Sequence, residues 1–241
     1  MFDVDETILD NGHQTNGRGY HEAFRRQAVI EIGKERNVPA LTSVTYEQST
    51  QAFRTAHEYT FSASLWNLLC MVGVRENPLA IDLNDELMML ITKRKNQLYF
   101  EALTSAIRPI EFASELLATI HMYCGEHMSI ASTARRVDID RFLDVNDFAQ
   151  YFTPDKIISV ESITQPKPHP EAFSKAFRML GLSPSAASQT IAFEDAPNGI
   201  ASAKQSGLYT VALTTHYSRD ELASAKFAPD LIIDSYREII G

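Results

Sequence analysis

The chain has 241 residues, 44% of them apolar, and a formal net charge of −9, enough to bury an α/β core plus a smaller domain but with no basic face for nucleic acid and a field that argues against an acidic membrane surface. No apolar run reaches the length of a membrane span, since the longest candidate, Ser64 to Val74, contains Asn67, and no signal-peptide pattern, repeat or low-complexity tract is present. The two cysteines, Cys70 and Cys124, stand in apolar sequence and read as buried free thiols of a reducing cytosol, not as a disulfide.

The opening Met1-Phe2-Asp3-Val4-Asp5-Glu6-Thr7 places two carboxylates two residues apart after a short apolar start. On extended backbone their side chains share a face, and where a strand runs out into a loop that face lies at the carboxyl edge of a sheet. Two acidic groups there can bind a hard cation, and different environments can split them into a nucleophile and an acid/base. Only Met1 and Phe2 precede Asp3, so a central strand built here is short. Such a strand would leave backbone groups of its neighbours unpartnered, at about 1–3 kcal/mol for each one buried, and the reading therefore expects a few native residues upstream of Met1.

The next hundred residues read as helices, Tyr20 to Asn37, Tyr46 to Tyr59, Phe61 to Val74 and Asn84 to Leu103, with loops around Pro39 and Pro78. Nothing in this stretch has the pattern of a core strand. It fits a helical domain, residues 12–106, inserted into a core made of residues 1–11 and 107–241. Gly12, Gly17 and Gly19 give the entry hinge freedom, and the chain leaves near Ser105 to Arg108. Arg25 and Arg26, with Lys93, Arg94 and Lys95 on the last helix, could meet a second anionic group of a ligand, although a solvated helix face is the commoner outcome for such charges. Trp66, Phe61 and Tyr59 could shape a pocket, with packing the commoner role.

From Pro109 the chain alternates helix 110–123, strand 127–131, helices near 137–151, strand 156–160, helix 170–180, strand 190–194, helix 197–205 and strand 208–213. Alternation at this spacing means a parallel sheet with right-handed crossovers and active residues at its carboxyl edge. Three signals mark that edge. Ser132-Thr133 ends an apolar strand ahead of Arg135 and Arg136, a setting for an anion. Lys167 stands between Pro166 and Pro168, which fix the backbone around a positioned point charge. Glu194-Asp195 is a second acidic pair at a strand end, with Pro197 opening a helix.

In this order, the four motifs resemble the haloacid dehalogenase (HAD) superfamily, in the branch that includes β-phosphoglucomutase and small sugar-phosphate phosphatases. The resemblance implies a Rossmann-like α/β core with an inserted helical cap. It also implies Asp3 as an aspartyl nucleophile, Asp5 as general acid/base, and Ser132, with Thr133 beside it, binding the transferring phosphoryl group. Lys167 would hold the charge of that group, and a Mg²⁺ site would form from Asp3, Asp195, Glu194 and the Asp5 backbone carbonyl. An ionised Asp3 and an Asp5 that titrates closer to neutrality would suit those roles. Tyr20-His21-Glu22-Ala23-Phe24 resembles the first cap helix of that branch, where His21 would contact the acid/base or the substrate; the alternative is simple packing. An aspartate at position 5 points to C–O–P chemistry, and Thr7 is usual in the phosphatases. Glu6 departs from the glycine common at its position. The activity implied is hydrolysis of a small phosphorylated metabolite in the cytoplasm by a monomer or homodimer, with no nucleic-acid or membrane partner. A phosphomutase and a catalytically silent binding protein of the same fold stay open.

Overall fold

The computed structural model describes residues 1–12, 19–56 and 60–240. They belong to two compact units, Met1–Gln14 with Leu103–Gly241, and Thr15–Ala102. Tyr59 and Gly17 lie outside the described residues.

Among the described residues the first unit is built on seven short strands: β1 (Leu9–Asp10), β2 (Arg108–Pro109), β3 (Ile130–Ala131), β4 (Ile157–Ile158), β5 (Ile191–Glu194), β6 (Tyr209–Leu213) and β7 (Leu231–Ile233). β3 pairs with β4, and β5, β6 and β7 pair in that order, all parallel. Phe2 joins the two sets, bridging Ile130 on one side and Phe193 on the other. The central segment is thus a single bridging residue, shorter than a strand, yet it makes its ladder bonds on both sides. Phe2 N donates to Ser129 O at 3.0 Å and Phe2 O accepts from Ala131 N at 2.8 Å, while Asp3 N donates to Phe193 O at 3.0 Å and Met1 O accepts from Phe193 N at 2.9 Å. The Phe2 side chain secures that position: it is fully buried, stacked on Phe193 at 4.9 Å and edge-on to Phe152 at 5.9 Å, a burial worth about 1.5–3 kcal/mol.

Because alternate residues of a strand face opposite sides, Ala192 packs with Phe173, Ala176 and Ala203 of the helices Glu171–Met179 and Pro197–Gln205, whereas Phe193 meets Tyr236 on the other face at 5.8 Å. β1 and β2 form an antiparallel pair, Leu9 opposite Pro109 and Asp10 opposite Arg108, too short to show a period in sequence. Cys124 is exposed and Cys70 half-buried, which corrects the reading of both as buried. The buried stripe of the helix Ala113–Cys124 runs through Ala113, Leu116 and Leu117, so its last turn, with Met122 and Tyr123, faces solvent.

The second unit is helical: Gly19–Glu35, Pro39–Thr42, Tyr46–Arg54, Phe61–Met71 and most of Glu86–Ser105. A capping box between Thr45 and Gln48 starts the third helix. Val29, Ile32, Leu41, Leu65, Leu68 and Ile91 form its core. Gly33 allows the short helix to approach, since a Cβ there would sit 2.5 Å from that of Leu41. Two of its cations are not on a solvated face. Arg25 is 6% exposed and donates to Ser49 Oγ, Ser64 Oγ and Ser49 O at 3.0–3.2 Å. Lys95 is buried against the rings of Phe61 and Tyr99, because serine hydroxyls and ring faces can take up these heads once the long stems pack. Arg94 pairs with Glu31, and Lys93 is exposed. Among the described residues no helix is long and apolar enough to cross a membrane.

Candidate active site

Four chain segments meet where the parallel strands end. Asp3 follows the Phe2 bridge, Ser132 follows β3, Glu194 ends β5 with Asp195 next, and Lys167 comes from the proline-flanked loop, where the Lys167–Pro168 peptide is cis. Lys167 Nζ lies 2.5 Å from Asp3 Oδ1 and 2.6 Å from Glu194 Oε1, and 4.7 Å from the centre of the Phe173 ring. Carboxylate oxygens of Asp3, Glu194 and Asp195 all lie within 4.8 Å of one another, and all three residues are buried. The amides of Asp195 and Ala196 donate to Glu194 Oε2 at 3.0 and 3.2 Å, and Thr7 Oγ1 donates to Asp195 Oδ1 at 3.5 Å.

The electrostatics follow from crowding. Burial, opposed by Lys167 and reinforced by Glu194 and Asp5, pushes the Asp3 carboxyl up to about 8. Burial also raises Asp195 well above the carboxylate range, with Glu194, Asp3 and Glu6 adding to the shift. Burial opposes the charge of Lys167, but Asp3 and Glu194 outweigh it and hold the ammonium above its ordinary range. Among the described residues, Asp3, Glu6, Glu194 and Asp195 are four buried acids set beside the ammonium of Lys167. An oxygen-only donor set with surplus negative charge fits a hard divalent cation such as Mg²⁺.

The loop after Asp3 is tightly wound. Val4 O accepts from the amides of Thr7, Ile8 and Leu9, and Glu6 N donates to Leu9 O at 2.7 Å. Glu6 takes a left-handed φ of 54°. Two residues from the far end of the chain fasten this loop: Thr215 Oγ1 donates to Glu6 O at 2.5 Å, and the hydroxyl of fully buried Tyr236 donates to Thr7 O at 2.8 Å. Asp5 is half-buried and outside the three-carboxylate cluster, with its Oδ1 accepting from Asn11 Nδ2 at 2.7 Å.

Ser132 is buried, its amide donating to Ile158 O and its Oγ accepting from Ala134 N, both at 3.0 Å. Thr133 is exposed. Arg135 and Arg136 turn to Asp138 and Asp140 on their own helix. His169 is a turn residue, its Nδ1 accepting from Glu171 N. His21 belongs to the helical unit, where it stacks on Tyr99 at 4.2 Å. Sequence reasoning missed Gly199, Asn11, Thr215 and Tyr236. A Cβ on Gly199 would overlap the Glu194 carboxylate, so the glycine makes room for that side chain. Its place directly after Pro197-Asn198 was the available signal; the other three carry none.

The sequence model of the haloacid dehalogenase-like hydrolases matches residues 1–213. Validoxylamine A 7'-phosphate phosphatase of Streptomyces hygroscopicus subsp. limoneus is 25% identical over 99% of this chain and 94% of its own. Two solved structures share the fold. The HAD hydrolase of family IA, variant 3, from Entamoeba histolytica has a TM-score of 0.72 at 23% identity, covering 99% of this chain and 93% of that one. CbbY of Rhodobacter sphaeroides, solved with xylulose-(1,5)bisphosphate, has a TM-score of 0.68 at 19% identity, covering 98% and 93%. With the match to the family's sequence model running from the first acidic motif through the last, this chain belongs to the haloacid dehalogenase-like hydrolase family.

Proposed function

We propose that this hydrolase is a Mg²⁺-dependent phosphatase that cleaves a small phosphomonoester, a sugar phosphate or similar metabolite, through an aspartyl-phosphate on Asp3. The observation that carries the reading is the buried ammonium of Lys167 bridging Asp3 and Glu194 inside a cluster of three carboxylates. The substrate class is supported by a relative named for a phosphorylated metabolite and by a fold neighbour solved with a sugar bisphosphate.

In this mechanism the Asp3 carboxylate attacks phosphorus as the bond to the leaving oxygen breaks, and Asp5 gives that oxygen its proton. Lys167 and the Ser132 hydroxyl, both buried, offset charge on the phosphoryl oxygens. Asp5, now ionised, takes a proton from the water that attacks the phosphoaspartate, which releases inorganic phosphate and restores Asp3. Asp3, Asp195, Glu194 and the Asp5 backbone carbonyl would hold Mg²⁺, which when bound would supply positive charge that favours the ionised form of Asp3. In this reading the unit of residues 15–102 serves as a cap that selects the leaving group, and His21 is its candidate substrate contact.

The test is turnover of an aryl phosphate and a panel of phosphorylated metabolites at fixed Mg²⁺. Hydrolysis without added sugar bisphosphate supports the phosphatase. Product formation only when a sugar bisphosphate is present would make it a mutase, and no turnover anywhere on the panel would overturn the reading.

A further inference from the structure

Glu6, inside the first acidic motif, and Asn11, just after it, are both buried, 3% and 2% exposed, and Asn11 reaches Asp5 directly. Asn11 Nδ2 donates to Asp5 Oδ1 at 2.7 Å. The backbone amide of Asn11 donates to Glu6 Oε1 at 2.9 Å. Glu6 makes that contact from a left-handed backbone that glycine would adopt more easily, and Thr215 fastens its carbonyl. A side chain kept where glycine is less strained calls for a compensating contact, and the acceptor for Asn11 is one.

We propose that Glu6 and Asn11 form a two-step clamp that positions the Asp5 carboxylate: Glu6 fixes the backbone of Asn11, and the Asn11 amide fixes the orientation of Asp5. Both are positioning residues. The proposal rests on Asp5 being the general acid/base, and it assigns a role to the residue in which this chain departs from the family's glycine. A donor amide suits the task better than a cation, because it orients the carboxylate without neutralising it.

The test compares Asn11→Ala, Glu6→Gly and Glu6→Gln with the wild type in three measurements. On an alkyl phosphate, whose leaving group needs a proton, Asn11→Ala should lose about 30- to 100-fold in kcat with KM changed less than about threefold. On a nitrophenyl phosphate, formation of the phosphoenzyme should fall far less than its breakdown, so phosphorylated protein accumulates. Glu6→Gly should show the same pattern without a loss of Tm, since it relieves the left-handed strain, whereas Glu6→Gln, which keeps the acceptor, should retain at least about a third of the wild-type rate. A crystal structure of Asn11→Ala should show the Asp5 carboxylate displaced. Equal losses in the rate of phosphoenzyme formation for good and poor leaving groups, or an Asp5 unmoved in that crystal structure, would overturn the clamp. A wild type inactive on every substrate would instead sink the phosphatase reading, and the crystal structure would still decide whether Asn11 holds Asp5.

Discussion

Replacing Lys167 by Met tests whether its ammonium holds the acidic cluster together. The two contacts it makes, 2.5 Å to Asp3 and 2.6 Å to Glu194, are both buried, with the lysine side chain 5% exposed. Breaking a buried pair by deleting one partner costs about 3–5 kcal/mol, because the remaining charge is left uncompensated. For a chain of this size that corresponds to a fall in Tm of roughly 6–20 °C. The penalty must depend on pH, and its sign can be worked out. Asp3 titrates near 8 when folded, against 3.8 when exposed, so its neutral form favours the fold at low pH and that contribution is lost as pH rises through about 8. Without Lys167 the folded value rises further, so both folded proteins hold the Asp3 proton near pH 5 and the variant's penalty should be smallest there, growing as pH rises through about 8 to 9, where the wild type gives the proton up first. Calorimetry of both proteins in EDTA across that range gives the answer. A Tm difference independent of pH, or one under about 2 °C near pH 8, would refute the electrostatic account.

Four further outcomes are expected. Asp3→Asn should abolish turnover with an unchanged circular dichroism spectrum; residual wild-type rate would remove Asp3 as nucleophile. Gly199→Ala should push Glu194 out of its place, lowering kcat at least about tenfold and stability by about 1–3 kcal/mol, read by steady-state kinetics and urea melts. Tyr236→Phe should cost about 1 kcal/mol, roughly 2–4 °C in Tm, by removing the hydroxyl that holds Thr7 O. Millimolar Mg²⁺ should raise Tm more near pH 8 than near pH 5, because cation and protons compete for the same carboxylates; thermal shift scans at the two pH values measure it.

Much of the fold was legible because it is written in local pattern. Pro197 marks the start of its helix, so the expected 197–205 coincides with the observed Pro197–Gln205, and the apolar run before Glu194 gives β5 to within a residue. Local pattern overreaches where tertiary pairing decides the ends. The apolar run 127–131 pairs only through Ile130 and Ala131, and the helix expected over 46–59 stops at Arg54. The proline-bracketed lysine and the two acidic pairs were visible as unusual neighbours, and the fold brings Asp3, Lys167, Glu194 and Asp195 within contact of one another. What could not be read were contacts between residues roughly two hundred positions apart, Thr215 to Glu6 and Tyr236 to Thr7, since a hydroxyl that caps a distant carbonyl leaves no period or spacing. The buried Arg25 was misjudged for a similar reason: its acceptors, Ser49 and Ser64, lie on other helices.

These long-range hydroxyls show how the chain manages a charge problem. Glu6 adds a fourth carboxylate to a buried site with one ammonium and raises Asp195 further. Such a site opposes its own folding, and carbonyls of the loop that carries the acids would be unsatisfied if that loop sprang open. Thr215 and Tyr236 bond two of those carbonyls, while Val4 O gathers three amides of the same turn. Each neutral bond is worth about 1 kcal/mol, so together they offset repulsion of a few kcal/mol without adding a positive charge that would compete for the carboxylates. Stabilising the loop with a second lysine would instead cancel part of that negative charge. The surplus charge is therefore best understood as a feature the surrounding hydrogen bonds are placed to sustain.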